Sequence, residues 1–231
     1  MTVHEPYIKA AGNDHLTPFY DLMARLMLPE RRIKERVIAL AQLAPGRRLL
    51  DLGCGTGTLV LMAQRRHPQA VVVGVDGDST ILAIARRKAA RESAAVQLDE
   101  AMAYALPYAD ASFDAVVSTL AFHHLTLDQQ QRTLAEVRRV LRPGGRLVIA
   151  DPARPHNRLM RLVQQLPLGP RHRHARESGT LHGPAGESTG LEQMLAADGW
   201  RRVAPTERFM SLIGTIAVYA LGRADGAAQP T

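Results

Sequence analysis

Apolar residues in this 231-residue chain follow two alternating rhythms. Leu49-Leu50-Asp51-Leu52, Ala70-Val71-Val72-Val73-Gly74-Val75-Asp76 and Ala115-Val116-Val117-Ser118 are short, nearly continuous apolar runs, the pattern of strands buried on both faces. Shorter runs over residues 94–98 and 146–150 read as further strands. Between them the spacing switches to the helical period. Residues 58–66 form one helix, closed by Pro68, and residues 81–91 another, capped by Ser79. A third starts near Asp128, with Gln131 as its capping-box partner, and runs into Arg138-Arg139-Val140-Leu141-Arg142-Pro143-Gly144-Gly145. Its Pro143-Gly144-Gly145 reads as a turn. Strands alternating with helices predict an α/β domain around a parallel sheet.

The flanks carry weaker patterns. Residues 14–28 read as a short amphipathic helix, with Phe19, Leu22, Met23, Leu26 and Met27 on one stripe. A second helix over residues 30–43 stops at Pro45-Gly46. After the last core strand come a helix over 157–166, bounded by Pro155 and Pro167, and a loop over 167–190 rich in Gly, Pro, His, Arg and Ser. A loop of that length is lid-like. A helix over 191–198, closed by Gly199, and two strands over 202–209 and 212–221 complete the domain, and a disordered tail over 224–231 follows.

Leu49-Leu50-Asp51-Leu52-Gly53-Cys54-Gly55-Thr56-Gly57 is the stretch with the most chemical content. A buried strand runs into an acid, and three glycines then alternate with small residues, as where a ligand approaches the main chain closely. Thr58 stands where G-x-G-x-x-G would place its last glycine, which removes the nicotinamide or flavin signature. No G-x-x-x-x-G-K-[ST] phosphate loop is present either. Asp51 is badly placed for a pyrophosphate and well placed for a cationic amine. Asp76 lies 19 residues after Gly57, near the ~20-residue spacing at which an acid reaches a ribose. A plain turn and helix cap at Asp76-Gly77-Asp78-Ser79 is the competing reading.

Asp51-Leu52-Gly53-Cys54-Gly55-Thr56-Gly57 resembles the first motif of the class I S-adenosylmethionine-dependent methyltransferases, and Arg139-Val140-Leu141-Arg142-Pro143-Gly144-Gly145 resembles a later one residue for residue. The resemblance is strong over residues 47–152. It implies a Rossmann-like doubly wound seven-stranded sheet, mostly parallel with an antiparallel last strand. It also implies a single domain over 1–223: a helical cap (1–46), a cofactor-binding core (47–152), a lid-like insertion (153–190) and a C-terminal helix with a strand pair (191–223). The implied cofactor is S-adenosyl-L-methionine, whose ammonium, sulfonium and carboxylate suit an acid at a strand end. The cofactor residues it implies are Asp51, Gly53, Cys54, Gly55 and Gly57 in the loop, Asp76 and Gly77 at the ribose, and Ser118 and Leu120 where the fourth strand borders the methyl group. Tyr20 resembles a cofactor contact of the ubiquinone/menaquinone C-methyltransferase-like, small-molecule branch. The segment 99–108 resembles the family's G-D-A-x-x-L-P-F/Y, but Ala101 and Met102 replace its Gly and Asp. That departure leaves Met102 to pack on the adenine and the backbone of Met102 and Ala103 to supply polar contacts.

Methyl transfer needs alignment above all, and a base only where the acceptor loses a proton. His123 and His124 are the candidate catalytic residues, and on an extended chain only one of them faces the pocket. His172, His174 and His182 suggest a metal, but the interleaved arginines repel a cation, and no metal is expected. Cys54 is the one cysteine, which excludes a disulfide framework; it reads as a small filler in the loop. The net charge of +7 comes from arginines in scattered pairs, with lysine only at Lys9, Lys34 and Lys88, so no nucleic-acid stripe forms. No apolar run reaches the ~18 residues of a membrane span and the N-terminus lacks a signal core, so a cytoplasmic location is expected. The expected acceptor is a small molecule, apolar or aromatic. The rivals are an RNA or protein methyltransferase, motivated by the charge, and a non-catalytic cofactor-binding protein, motivated by Met102. The acceptor, the methylated atom and the oligomeric state stay open.

Overall fold

The computed structural model describes residues 29–153, 190–200, 203–211 and 214–223. The helices expected over 14–28 and 157–166, the loop over 167–190 with its three histidines, the tail over 224–231, and Tyr20 all lie outside the described residues. In chain order the elements are α1 (Glu30–Ala41), β1 (Arg48–Leu52), α2 (Thr58–Arg66), β2 (Val71–Asp76), α3 (Ser79–Arg91), β3 (Val96–Glu100) and β4 (Phe113–Thr119). A 3-10 turn (Phe122–His124), α4 (Leu127–Val140), β5 (Leu141–Ala153), α5 (Gly190–Ala197), β6 (Glu207–Ser211) and β7 (Gly214–Gly222) follow. The seven strands are ordered β3-β2-β1-β4-β5-β7-β6, and β7 runs antiparallel to both of its neighbours while β1 to β5 pair in parallel. This is the doubly wound sheet that the strand–helix alternation predicts.

Both faces of the sheet are covered, so the strands are apolar on both sides. On one face Leu49, Val72, Ala115, Val117 and Val148 pack under Ile33, Val37 and Ile38 of α1, Leu59, Val60 and Ala63 of α2, and Leu82 of α3. On the other, Leu50, Val73, Val116, Leu147 and Ile149 pack under Leu134, Val137 and Val140 of α4 and Leu191 and Leu195 of α5. Neighbours in sequence therefore alternate between two cores, which pins the register against a one-residue slip. No helix of the described residues is long and apolar enough to cross a membrane.

Several boundaries differ from the expectation, each for a local reason. Asp78, not Ser79, caps α3, accepting from the backbone N–H of Thr80 at 2.8 Å and of Ile81 at 3.3 Å. The capping box of α4 is Thr126 with Gln129, two residues earlier than Asp128 and Gln131, because Thr126 ends the extended segment after the 3-10 turn. β3 runs two residues further than 94–98, and it carries Asp99 and Glu100 because it is an edge strand open to water. Pro143-Gly144-Gly145 is a bulge inside β5 instead of a turn before it: Phe113 pairs with Leu141 but Ala115 pairs with Arg146. Proline, lacking an N–H, is tolerated there. Leu50 is fully buried in central β1. We expect Leu50→Ala to cost about 2–5 kcal/mol in urea unfolding; a loss below ~1 kcal/mol would contradict this account of the core.

Candidate functional site

The order of the strands reverses between β1 and β4, and a cavity opens beyond their carboxyl ends, where ligands bind in open α/β sheets. Its wall includes Asp51, Gly53, Cys54 and Gly55 from the glycine loop, Asp76 and Gly77 after β2, Met102 and Ala103 after β3, and Ser118, Leu120 and His124 around the end of β4. Gly57 and His123 belong to neighbouring structure and not to this wall. Gly57 starts α2 at φ +75°, and a Cβ there would lie 3.0 Å from that of Ala85, so it lets the loop pack on α3. Gly53, at φ +67°, faces Ala121 so closely that a Cβ would fall 2.4 Å from that of Ala121. Glycine is required at that crossing.

Asp76 holds the loop to the sheet. Its Oδ2 accepts the Gly55 N–H at 2.8 Å and its Oδ1 accepts the Asp78 N–H at 3.0 Å. Each carboxylate oxygen has further acceptor capacity, so the acid can take ligand hydroxyls in the same place. Behind the loop, the Lys88 ammonium donates to the Thr56 hydroxyl at 2.9 Å. Cys54 is buried against this base, and burial, then the charges of Asp51 and Asp76, push its thiol up and away from reactivity.

Asp51 is the charged group with the highest cost. It is 2 % exposed, and burial raises its pKa to about 7; Lys34 opposes the rise and Asp76 adds to it. Among the described residues no hydrogen-bond donor reaches its side chain, yet it faces the cavity. A cationic ligand group is the partner this position fits. Beside it stand Glu30 and Lys34 of α1, joined as an ion pair and also on the cavity wall. Sequence reading missed both, because an i,i+4 pair on a helix is ordinarily a surface feature.

At the other side of the cavity, Phe122–His124 form a 3-10 turn, so His123 and His124 do not point opposite ways as on an extended chain; their rings lie 4.0 Å apart, centroid to centroid. His124 faces the cavity, and the His123 Nδ1 meets Asp151 Oδ1 at 2.9 Å. Burial opposes the His123 imidazolium, but the charge and hydrogen bond of Asp151 outweigh it and hold the pKa above its usual value. Asp151, at the carboxyl end of β5, was not singled out in the sequence. Ser118 donates to the Leu52 carbonyl at 3.2 Å, tying β4 to β1 below the cavity floor. Leu120 takes a left-handed backbone, φ +57°, which turns the chain into the histidine segment.

The segment after β3 is shaped from behind. Arg139 donates to the carbonyls of Tyr108 at 2.6 Å and Leu106 at 3.1 Å, and Glu136 accepts the Leu106 N–H at 2.7 Å. Asp99 is engaged by the Tyr108 hydroxyl at 2.9 Å and by Gln97, so it does not replace the acid missing at Met102. The cavity wall there is Ala101, Met102 and Ala103. Among the described residues no cluster of His, Cys, Asp or Glu is arranged to hold a metal ion.

A family profile described as a methyltransferase domain matches residues 49–145. The chain is 44 % identical over 138 residues to a demethylmenaquinone methyltransferase of Thermus thermophilus, covering 59 % of this chain and 62 % of that protein. It is 37 % identical over 184 residues to the demethylmenaquinone methyltransferase of Deinococcus radiodurans, covering 79 % of this chain and 75 % of that one. The chain thus spans a little under two thirds of the first relative's length and three quarters of the second's. A crystal structure described as a SAM dependent methyltransferase from Aquifex aeolicus shares the fold, with a TM-score of 0.65 at 18 % identity over 90 % of this chain and 98 % of that one.

The Asp51 environment has a signed consequence for stability. Its folded pKa of about 7 stands above the ordinary 3.8, so folding takes up a proton between those values. The stability it contributes is present below the ordinary value and is lost as pH rises through about 7. Asp51→Asn should therefore melt several degrees above wild type near pH 8, with the gap closing toward pH 4. Calorimetric scans across that range check it, and a gap that is constant or reversed in sign would contradict the buried charge.

Proposed function

We propose that this chain, which belongs to the class I S-adenosylmethionine-dependent methyltransferase family in its ubiquinone/menaquinone C-methyltransferase-like branch, transfers a methyl group from S-adenosylmethionine to an apolar, hydroxylated aromatic acceptor. The observation that carries the reading is the pair of buried acids at the ends of adjacent strands, Asp51 and Asp76, facing one cavity. Asp51 fits the ammonium of the methyl donor. Asp76, already fixed by two backbone N–H groups, fits its ribose hydroxyls. Ile81 and Met102 offer apolar walls to the base. When bound, the donor supplies an electrophilic methyl on a sulfonium whose departure leaves a neutral thioether.

The chain's own part is to bind, align and move one proton. Alignment of acceptor and methyl supplies most of the acceleration available to such a reaction. Leu120, Phe122 and Leu125 line the side of the cavity beyond β4 and suit an apolar ring. The relatives that carry quinone-methyltransferase names support an acceptor of that class. A hydroquinone-type acceptor loses a proton as it gains the methyl group. With Nδ1 committed to Asp151, His123 has Nε2 available to take that proton, and Asp151 stabilises the imidazolium that results.

Calorimetry tests the ligand class. S-adenosylhomocysteine should bind saturably and NAD should not; saturable NAD binding, or binding of neither, would overturn the reading. For the base, Asp151→Asn removes the interaction that raises the His123 pKa. The acid limb of the kcat profile should move to lower pH, and kcat should fall roughly 10- to 100-fold. A lower kcat with an unmoved acid limb would leave Asp151 a purely structural role.

A further inference from the structure

Glu30 and Lys34 stand one helical turn apart at the start of α1. Pairs at this spacing usually lie in water and contribute little. The neighbouring pair on the same helix does so: Arg31 and Glu35 have side chains 86 % and 36 % exposed. Lys34 and Glu30 are 14 % and 7 % exposed, and both face the cavity next to Asp51. A buried pair is a poor stabiliser, since apolar residues of similar size fill the same volume without desolvating two charges. Stability alone does not account for placing three charged groups against one cavity wall.

Their charges do not balance. Two carboxylates and one ammonium carry −1 when all are ionised, and Lys34 is one of the groups acting on the Asp51 carboxyl. The Lys34 ammonium has three donors, of which Glu30 engages one. An α-amino acid terminus is the complementary object: an ammonium to sit against the carboxylates and a carboxylate to accept from Lys34. We propose that Glu30, Lys34 and Asp51 form one site that reads the zwitterionic amino-acid end of the methyl donor. Lys34 takes the ligand carboxylate, and Glu30 holds Lys34 in place while sharing the ligand ammonium with Asp51. This inference rests on the methyl-donor reading above and assigns to α1 the selection of the donor's amino-acid end. α1 leaves the sheet on the far side of β1, so helix and strand together define that end of the cavity.

The test compares two ligands by calorimetry on the full chain: S-adenosylhomocysteine, and 5′-methylthioadenosine, which has no amino-acid end. The variant Glu30→Gln/Lys34→Met removes both charges of the pair and leaves no carboxylate stranded without its partner. It should lose about 10- to 100-fold in affinity for S-adenosylhomocysteine and less than about 3-fold for methylthioadenosine. Lys34→Arg, which retains the cation, should recover most of that loss. Equal losses for both ligands would mean that the pair only shapes the fold, and no loss for either would mean that it does not touch the ligand; both results overturn the proposal. Wild-type protein that binds neither ligand would overturn the methyl-donor reading itself, and this inference with it.

Discussion

Asp76 stands where three parts of the chain must meet. It ends β2, it receives the Gly55 N–H from the loop after β1, and it receives the Asp78 N–H that leads into α3. A charge-assisted hydrogen bond to backbone is strong and directional, and here it is also buried. The glycine loop has little else to fix it, because glycines bring no side chains to pack. One carboxylate therefore decides the conformation of the loop, the entry to the next helix, and the position from which ligand hydroxyls are met. Arg139 has the same duty on the opposite side, clamping the segment after β3 through two backbone carbonyls.

The site is built at a cost to the fold, and Asp51 is where that cost concentrates. A carboxylate in central β1 occupies a position that would otherwise be apolar, between Leu50 and Leu52. Lys34 relieves part of its isolation and Asp76 adds to it. Such an arrangement persists when a bound partner repays it, and a cationic ligand group is that partner. The dyad of His123 and Asp151 follows a different logic: burial and the neighbouring charge pull in opposite directions, and the charge prevails. The ligand end of the cavity is thus anionic, and the acceptor end carries an imidazole tuned by one acid.

Much of this was legible in the residues. The helix over 58–66 was read to its boundaries, because a glycine loop precedes it and Pro68 follows. The acids at two strand ends stood out through their position after apolar runs. What escaped reading depended on distant contacts. β3 was placed early because half of its surface is open to water, and its charged residues broke the apolar run. The bulge at Pro143-Gly144-Gly145 looked like a turn, since proline and glycine mark both. Two histidines adjacent in sequence were read as diverging, and the 3-10 turn that stacks them carries no clear sequence signal. Glu30 and Lys34 looked like ordinary solvent residues until the helix was seen against the end of β1. Asp151 is one acid among many until β5 brings it beside β4.

The account stands on the orientation of one ligand across two strand ends. A crystal structure of the complex with S-adenosylhomocysteine tests it directly. The account predicts the ribose hydroxyls on the Asp76 carboxylate and the ligand ammonium within about 2.7–2.9 Å of Asp51. A ligand whose ribose lies away from Asp76, or whose amino-acid end points toward Met102, would contradict it.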